Sequence, residues 1–122
     1  MASEPTDAEI LSKSLDDPAL FEAIYERHLT PLHRYLRRRV GEEVAEDLTA
    51  EVFVRAFRDR SRYSAQYETV LPWLFGIANN LVADRRRAES KRLKALERLA
   101  SWSATSESQA PEDVYLGSTI SS

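Results

Sequence analysis

The sequence predicts an all-α fold, a compact bundle of three main helices with flexible ends. Three observations carry that expectation. Glycine is scarce, with 3 in 122 residues; apolar residues recur at three- and four-residue spacing; and no stretch alternates as a half-buried strand does. The length suits one small domain with a single core.

The elements follow in chain order. Residues 1–17 read as a flexible acidic N-terminus. Asp17 and Pro18 give an N-cap and first-turn signal for the first helix. Leu20, Phe21, Ile24, Tyr25, Leu29, Leu32, Tyr35, Leu36 and Val40 form its stripe, and Gly41 ends it as a C′ residue. Pro31 lies inside that run and removes the amide that would bond the carbonyl of Arg27, so a kink or two abutting helices is expected. The second helix runs from about Glu43 to Asp59, with Ala45, Leu48, Val52, Phe53, Ala56 and Phe57 as its buried stripe. Its acids come early and Arg55 and Arg58 late, an order that complements the helix dipole. Residues 60–71, "RSRYSAQYETVL", read as a loop rich in tyrosine and hydroxyls. The third helix begins at Pro72 and ends near Leu99, closing a helical domain over residues 18–99. Residues 100–122, rich in serine and without a helical stripe, read as a flexible tail.

Composition narrows the function. Without cysteine there is neither a disulfide framework nor a thiolate metal site. No apolar run approaches membrane-spanning length, and the N-terminus lacks the basic and apolar blocks of a secretory signal. A cytoplasmic protein with no membrane partner is expected. His28 and His33 miss the i, i+4 pairing of helical metal ligands and read as part of the basic face of the first helix. No phosphate-binding glycine loop or nucleophile arrangement occurs, so neither an enzyme nor a metal or cofactor is expected. The net charge of −3 averages unlike segments: residues 27–98 hold sixteen Lys/Arg against ten acids, between two acidic ends. A basic centre suits a polyanion or an acidic partner, and equally a solvated helical surface.

The third helix divides by face. At about 100° per residue, Leu74, Ile77, Ala78 and Leu81 fall on a core side. Trp73, Gly76, Asn80, Ala83, Asp84 and Arg87 fall on another. Small residues there admit a close approach, Asn80 offers a donor and an acceptor, and Arg87 binds phosphate. Trp73 adds a stacking plane, and aromatic planes beside amides and arginines suit unstacked bases on a charged track. Each residue also has a plainer reading. Trp73 serves as well as a core or rim aromatic, Asn80 as a partner for a loop carbonyl, and Asp84 as the intrahelical partner of Arg87. Taken together, with the tyrosine-bearing loop before them, they favour nucleic acid.

Two ordered motifs carry a resemblance. "AEDLTAEVFVRAFRD", a polar loop, then "WLFGIANNLVADRRR" resembles region 2 of bacterial RNA polymerase sigma factors of the extracytoplasmic-function group, in the sigma-70 family. The family pattern D-L-x-Q-E-V-F is met by Asp47, Leu48, Glu51, Val52 and Phe53, with Ala50 where glutamine is frequent. The pattern W-L-x-x-I-A-x-N-x-x-x-D-x-x-R is met by Trp73, Leu74, Ile77, Ala78, Asn80, Asp84 and Arg87.

The resemblance implies a division of labour. Glu46, Asp47, Ala50 and Glu51 would face the clamp coiled coil of the largest subunit of core RNA polymerase. The loop would recognise and melt the promoter −10 element, taking a non-template base out of the stack at a cost of a few kcal/mol. Tyr63, Ser64, Gln66 and Tyr67 are the pocket candidates, with Trp73 and Asp84 on the same DNA-facing side. Asn80 would hold the opened strand, and Arg85, Arg86, Arg87, Lys91 and Arg92 would follow phosphates. An anti-sigma factor is a further implied partner. Region 4, the family's second DNA-binding domain, is not found after "APEDV", so the expectation is of region 2 without region 4. The other reading is a sigma-like helical adaptor or decoy that binds polymerase or an anti-sigma factor without reading DNA.

Overall fold

The computed structural model of the chain describes residues 4–64 and 68–109, with side chains described through residue 104. The described residues form four helices: α1 (Asp7–Ser14), α2 (Glu22–Val40), α3 (Glu42–Arg58) and α4 (Leu71–Gln109). Short 3-10 turns lie at Pro18–Phe21 and Arg60–Arg62. The all-α expectation holds, with one helix more than the sequence reading gave.

That extra helix corrects the reading of residues 1–17 as a free acidic end. Thr6 accepts from the Glu9 amide and Glu9 accepts from the Thr6 amide, a capping box that satisfies two first-turn donors. Asp7, Ile10, Leu11 and Ser14 then recur on one side of α1, and all four are buried. Burial of Ile10 and Leu11 offsets part of the cost of ordering this short helix, and the capping bonds and the contacts of buried Asp7 offset more of it.

After α1, Pro18 opens a 3-10 turn, and the Asp17 side chain makes no cap bond. Phe21 is buried, whereas Leu20 and Tyr25, assigned to the core stripe from the sequence, are exposed. α2 continues through Pro31 as a single helix, held on either side by buried His28, Leu32 and Leu36. Gly41 links α2 to α3 with φ 86°, a backbone that favours glycine, and its amide bonds the Arg37 carbonyl.

α2 packs on α3, and α1 packs on α2 and on both 3-10 turns. The core joins Ile10 and Leu11 with Ile24, Leu32 and Leu36, then Ala45, Leu48, Val52, Phe53 and Ala56, and finally Val70, Leu74, Ala78, Leu81 and Val82. Phe57, predicted in the buried stripe, is 37% exposed. It sits edge-on to Phe21 at 5.2 Å, with the Arg60 guanidinium 3.9 Å from its ring centre.

Contacts divide the chain into two units, residues 1–83 and residues 84–122. The first contains the core. In the second, α4 runs on to Gln109, past the expected end near Leu99. The correction has a simple cause: between Gly76 and Pro111 there is neither glycine nor proline to stop a helix. Leu93, Leu96, Leu99 and Trp102 are exposed along it.

Candidate nucleic-acid interface

The start of α4 is fixed by its apolar side. Leu74 and Ala78 are fully buried, with Leu81 and Val82 nearly so, whereas Ile77 is only half-buried. This leaves Gly76, Asn79 and Asn80 exposed. The two amides differ in use. Tyr35 donates its hydroxyl to Oδ1 of Asn79 at 2.7 Å, while the Asn80 side chain has no hydrogen-bond partner among the described residues.

Trp73 is half-buried, and its ring lies 5.2 Å from that of Tyr63, tilted by 53°. The Tyr63 hydroxyl is buried without a hydrogen-bond partner among the described residues. Burial pushes its phenol above the ordinary value, and the charge of Asp7 adds to that shift. Ser64, next along, is exposed. Gln66 and Tyr67, the other two pocket candidates, lie outside the described residues.

The arginine set belongs to the second unit. Asp84, Arg85, Arg86, Arg87, Lys91 and Arg92 are all exposed. Arg87 pairs with Asp84 and Arg92 with Glu89. Arg85, Arg86 and Lys91 have no ion-pair partner among the described residues. Exposed pairs of this kind are worth a few tenths of a kcal/mol, so a phosphate competes easily for either arginine.

A second exposed side lies on α3. Glu46, Asp47, Ala50 and Glu51 are exposed, and Glu51 reaches Arg55 at 3.5 Å. Glu46 and Asp47 have no ion-pair partner among the described residues. Ala50 and Glu46 open onto a groove of about 500 Å³ whose α2 wall carries Thr30, His33 and Arg34. Thr49 also lines it, and the Thr49 hydroxyl is buried without a hydrogen-bond partner among the described residues. Sequence reasoning missed Val54, which is 64% exposed and follows Asp47 and Ala50 at helical spacing. Its signal was available, because the period that buries Val52 and Phe53 turns Val54 outward.

Asp7 was missed as well. Its buried carboxylate accepts the Val70 amide at 2.8 Å, the Thr69 hydroxyl at 3.0 Å and Arg27 at 3.0 Å, and lies 2.9 Å from His28 Nε2. Burial works to raise its pKa, but the Val70 amide, Arg27 and His28 outweigh it and hold the carboxyl below its ordinary range. His28 is therefore a buried partner of Asp7, and not part of an exposed basic face as its sequence position suggested. No group of three or more His, Asp or Glu that could hold a metal ion occurs among the described residues. No helix among them is long and apolar enough to cross a membrane.

The described residues form an all-helical module with exposed polar sides on α3 and α4. The sigma-70 region 2 family model matches residues 24–92, and the chain belongs to that family, in its extracytoplasmic-function (ECF) group. The chain is 39% identical over 75 residues to the ECF RNA polymerase sigma factor BldN of Streptomyces coelicolor, covering 61% of this chain and 28% of that protein. It is 30% identical over 108 residues to the ECF RNA polymerase sigma factor SigL of Mycobacterium tuberculosis, covering 88% of this chain and 60% of that protein. With SigE of Mycolicibacterium smegmatis it shares 32% identity over 99 residues, 78% of this chain and 38% of that protein. The chain thus spans between about a quarter and three fifths of these relatives' lengths. No solved structure matches it.

Proposed function

We propose that the chain acts in transcription initiation, in the cytoplasm, as a sigma factor domain and not as an enzyme. It docks on core RNA polymerase and recognises and melts the promoter −10 element. The relatives' names supply the polymerase; the exposed sides supply the places. Glu46, Asp47, Ala50, Glu51 and Val54 form the docking side toward the clamp coiled coil of the largest subunit, an apolar centre among acids. An anti-sigma factor is a second candidate for the same side.

On the DNA side, Tyr63, Ser64, Gln66 and Tyr67 provide the pocket for a non-template base, next to Trp73. Asn80 holds the opened strand. Arg85, Arg86, Arg87, Lys91 and Arg92 follow phosphates, with Asp84 orienting Arg87 until a phosphate replaces it. The observation that carries this reading is the unequal use of adjoining amides: Asn79 is engaged by Tyr35, and Asn80 is exposed with no hydrogen-bond partner among the described residues. An amide can match a base edge, whereas an arginine on a phosphate carries no sequence information.

The test is selection. A single-stranded DNA pool with a randomised centre is passed over the immobilised chain, and the retained strands are sequenced. A short enriched motif is expected. Retention without any motif would contradict base reading and leave the adaptor or decoy.

A further inference from the structure

α1 holds the segment between α3 and α4 at both of its ends. At the far end, Asp7 accepts the Val70 amide and the Thr69 hydroxyl. At the near end, Ser14 accepts the Nε of Arg60 at 3.1 Å through its hydroxyl and the Nη2 of Arg60 at 3.2 Å through its carbonyl. Asp7 and Ser14 are seven residues apart, the same side of a helix two turns on. Both are buried, at 4% and 0% exposure. Ala8, Leu11 and Leu15 of α1 line a small cavity with Arg60 and Tyr63 between the two anchors.

The geometry sets the span. Two helical positions seven residues apart lie about 10 Å from one another, whereas ten residues of chain reach up to about 33 Å. Fixing Arg60 at one end and Thr69 and Val70 at the other on one rigid element sets where these two ends stand before any ligand binds. The Asp7 carboxylate satisfies the buried Val70 amide and pairs with Arg27 and His28, so an apolar residue at position 7 would leave those groups without their acceptor.

We infer that α1 is a two-point clasp, with Asp7 and Ser14 as positioning residues that set residues 60–63 and 69–70 for strand recognition. The inference rests on the proposed role of that segment in reading DNA. It also makes a claim independent of DNA: the two ends are coupled through α1, so releasing one loosens the other.

Amide hydrogen exchange of the full chain tests the coupling in Asp7→Asn, Thr69→Val and Arg60→Met. Exchange should rise at Val70 in each variant, by roughly tenfold or more in Asp7→Asn, where the amide loses its charged acceptor. It should rise at residues 60–63 as well, in each variant. Exchange that rises only at the substituted end, or at neither end, overturns the clasp. Should Asp7→Asn fail to fold, Thr69→Val and Arg60→Met decide, because each leaves Asp7 paired with Arg27 and His28.

The DNA pool separates the two readings. If the wild type enriches a motif, the variants should flatten it while total strand retention and polymerase capture persist. An unchanged motif beside raised exchange overturns the positioning role. If the wild type enriches none, the DNA reading fails, and two-ended exchange alone upholds or overturns the clasp.

Discussion

Tyr35 donates its hydroxyl to Oδ1 of Asn79 across 2.7 Å, joining α2 to α4 through one of two adjoining amides. The same tyrosine ring lies 4.5 Å from Phe75, and the Arg39 guanidinium stands 4.6 Å from its centre. Asn79 thus belongs to the packing of α2 on the start of α4. Asn79→Ala should lower stability by about 1 kcal/mol, the net worth of one intramolecular hydrogen bond. Urea unfolding measures it. The motif enriched from single-stranded DNA should not change.

The α3 side yields a second expectation. Reversing Asp47 and Glu51 to lysine should weaken capture of core polymerase and leave helical content unchanged. Val54→Glu should weaken capture too, because it places a charge at the apolar centre of the side and touches no core residue. A pull-down with far-ultraviolet circular dichroism on the same samples checks both. Undiminished capture would remove α3 as the docking helix.

Core packing separates two phenylalanines that the sequence pattern treats alike. Phe53 is 5% exposed, and Phe53→Ala should cost about 3–5 kcal/mol. Phe57 is 37% exposed and sits edge-on to Phe21 beside the Arg60 guanidinium. Phe57→Ala should cost about 1–2 kcal/mol. Thermal melting of the two variants side by side should show the larger shift for Phe53.

Acid should act through Asp7. Its folded pKa lies below the ordinary value of 3.8, despite burial, because the Val70 amide, Arg27 and His28 favour the charged form. The unfolded chain then binds the proton more readily than the folded one. The contribution of Asp7 is complete above the ordinary value and is lost as pH falls through the lowered folded value. Urea midpoints from pH 6 down to pH 2.5 should fall for the wild type across that window. In Asp7→Asn the fall should be smaller, by the share this carboxylate carries.

Much of the fold was legible because α2, α3 and the start of α4 write their core faces at helical spacing over long runs. Gly41 marked the α2–α3 junction for a reason confirmed by its positive φ. α1 was not read because net charge spoke louder than pattern. Thr6 and Glu9 already stood at capping-box spacing before Ile10 and Leu11. The role of Asp7 could not be read at all, since its partners lie 20 to 63 residues away and only the fold assembles them. Tyr25 and Phe57 fit the stripe by period yet sit at its edge, where periodicity does not distinguish burial from a rim. The residues of the proposed DNA side could be named from the sequence as types, but the different fates of Asn79 and Asn80 needed Tyr35.

The central claim is that Asn80 reads a base while the arginines grip phosphates. Fluorescence anisotropy tests it most directly, on the enriched oligonucleotide and a scrambled one at two salt concentrations. Asn80→Ala should lose affinity for the enriched strand and leave the scrambled strand unchanged. Arg86→Ala should weaken both nearly equally and lower the salt dependence by about one counterion. Equal loss on both strands for Asn80→Ala would contradict the account and leave Asn80 a structural amide.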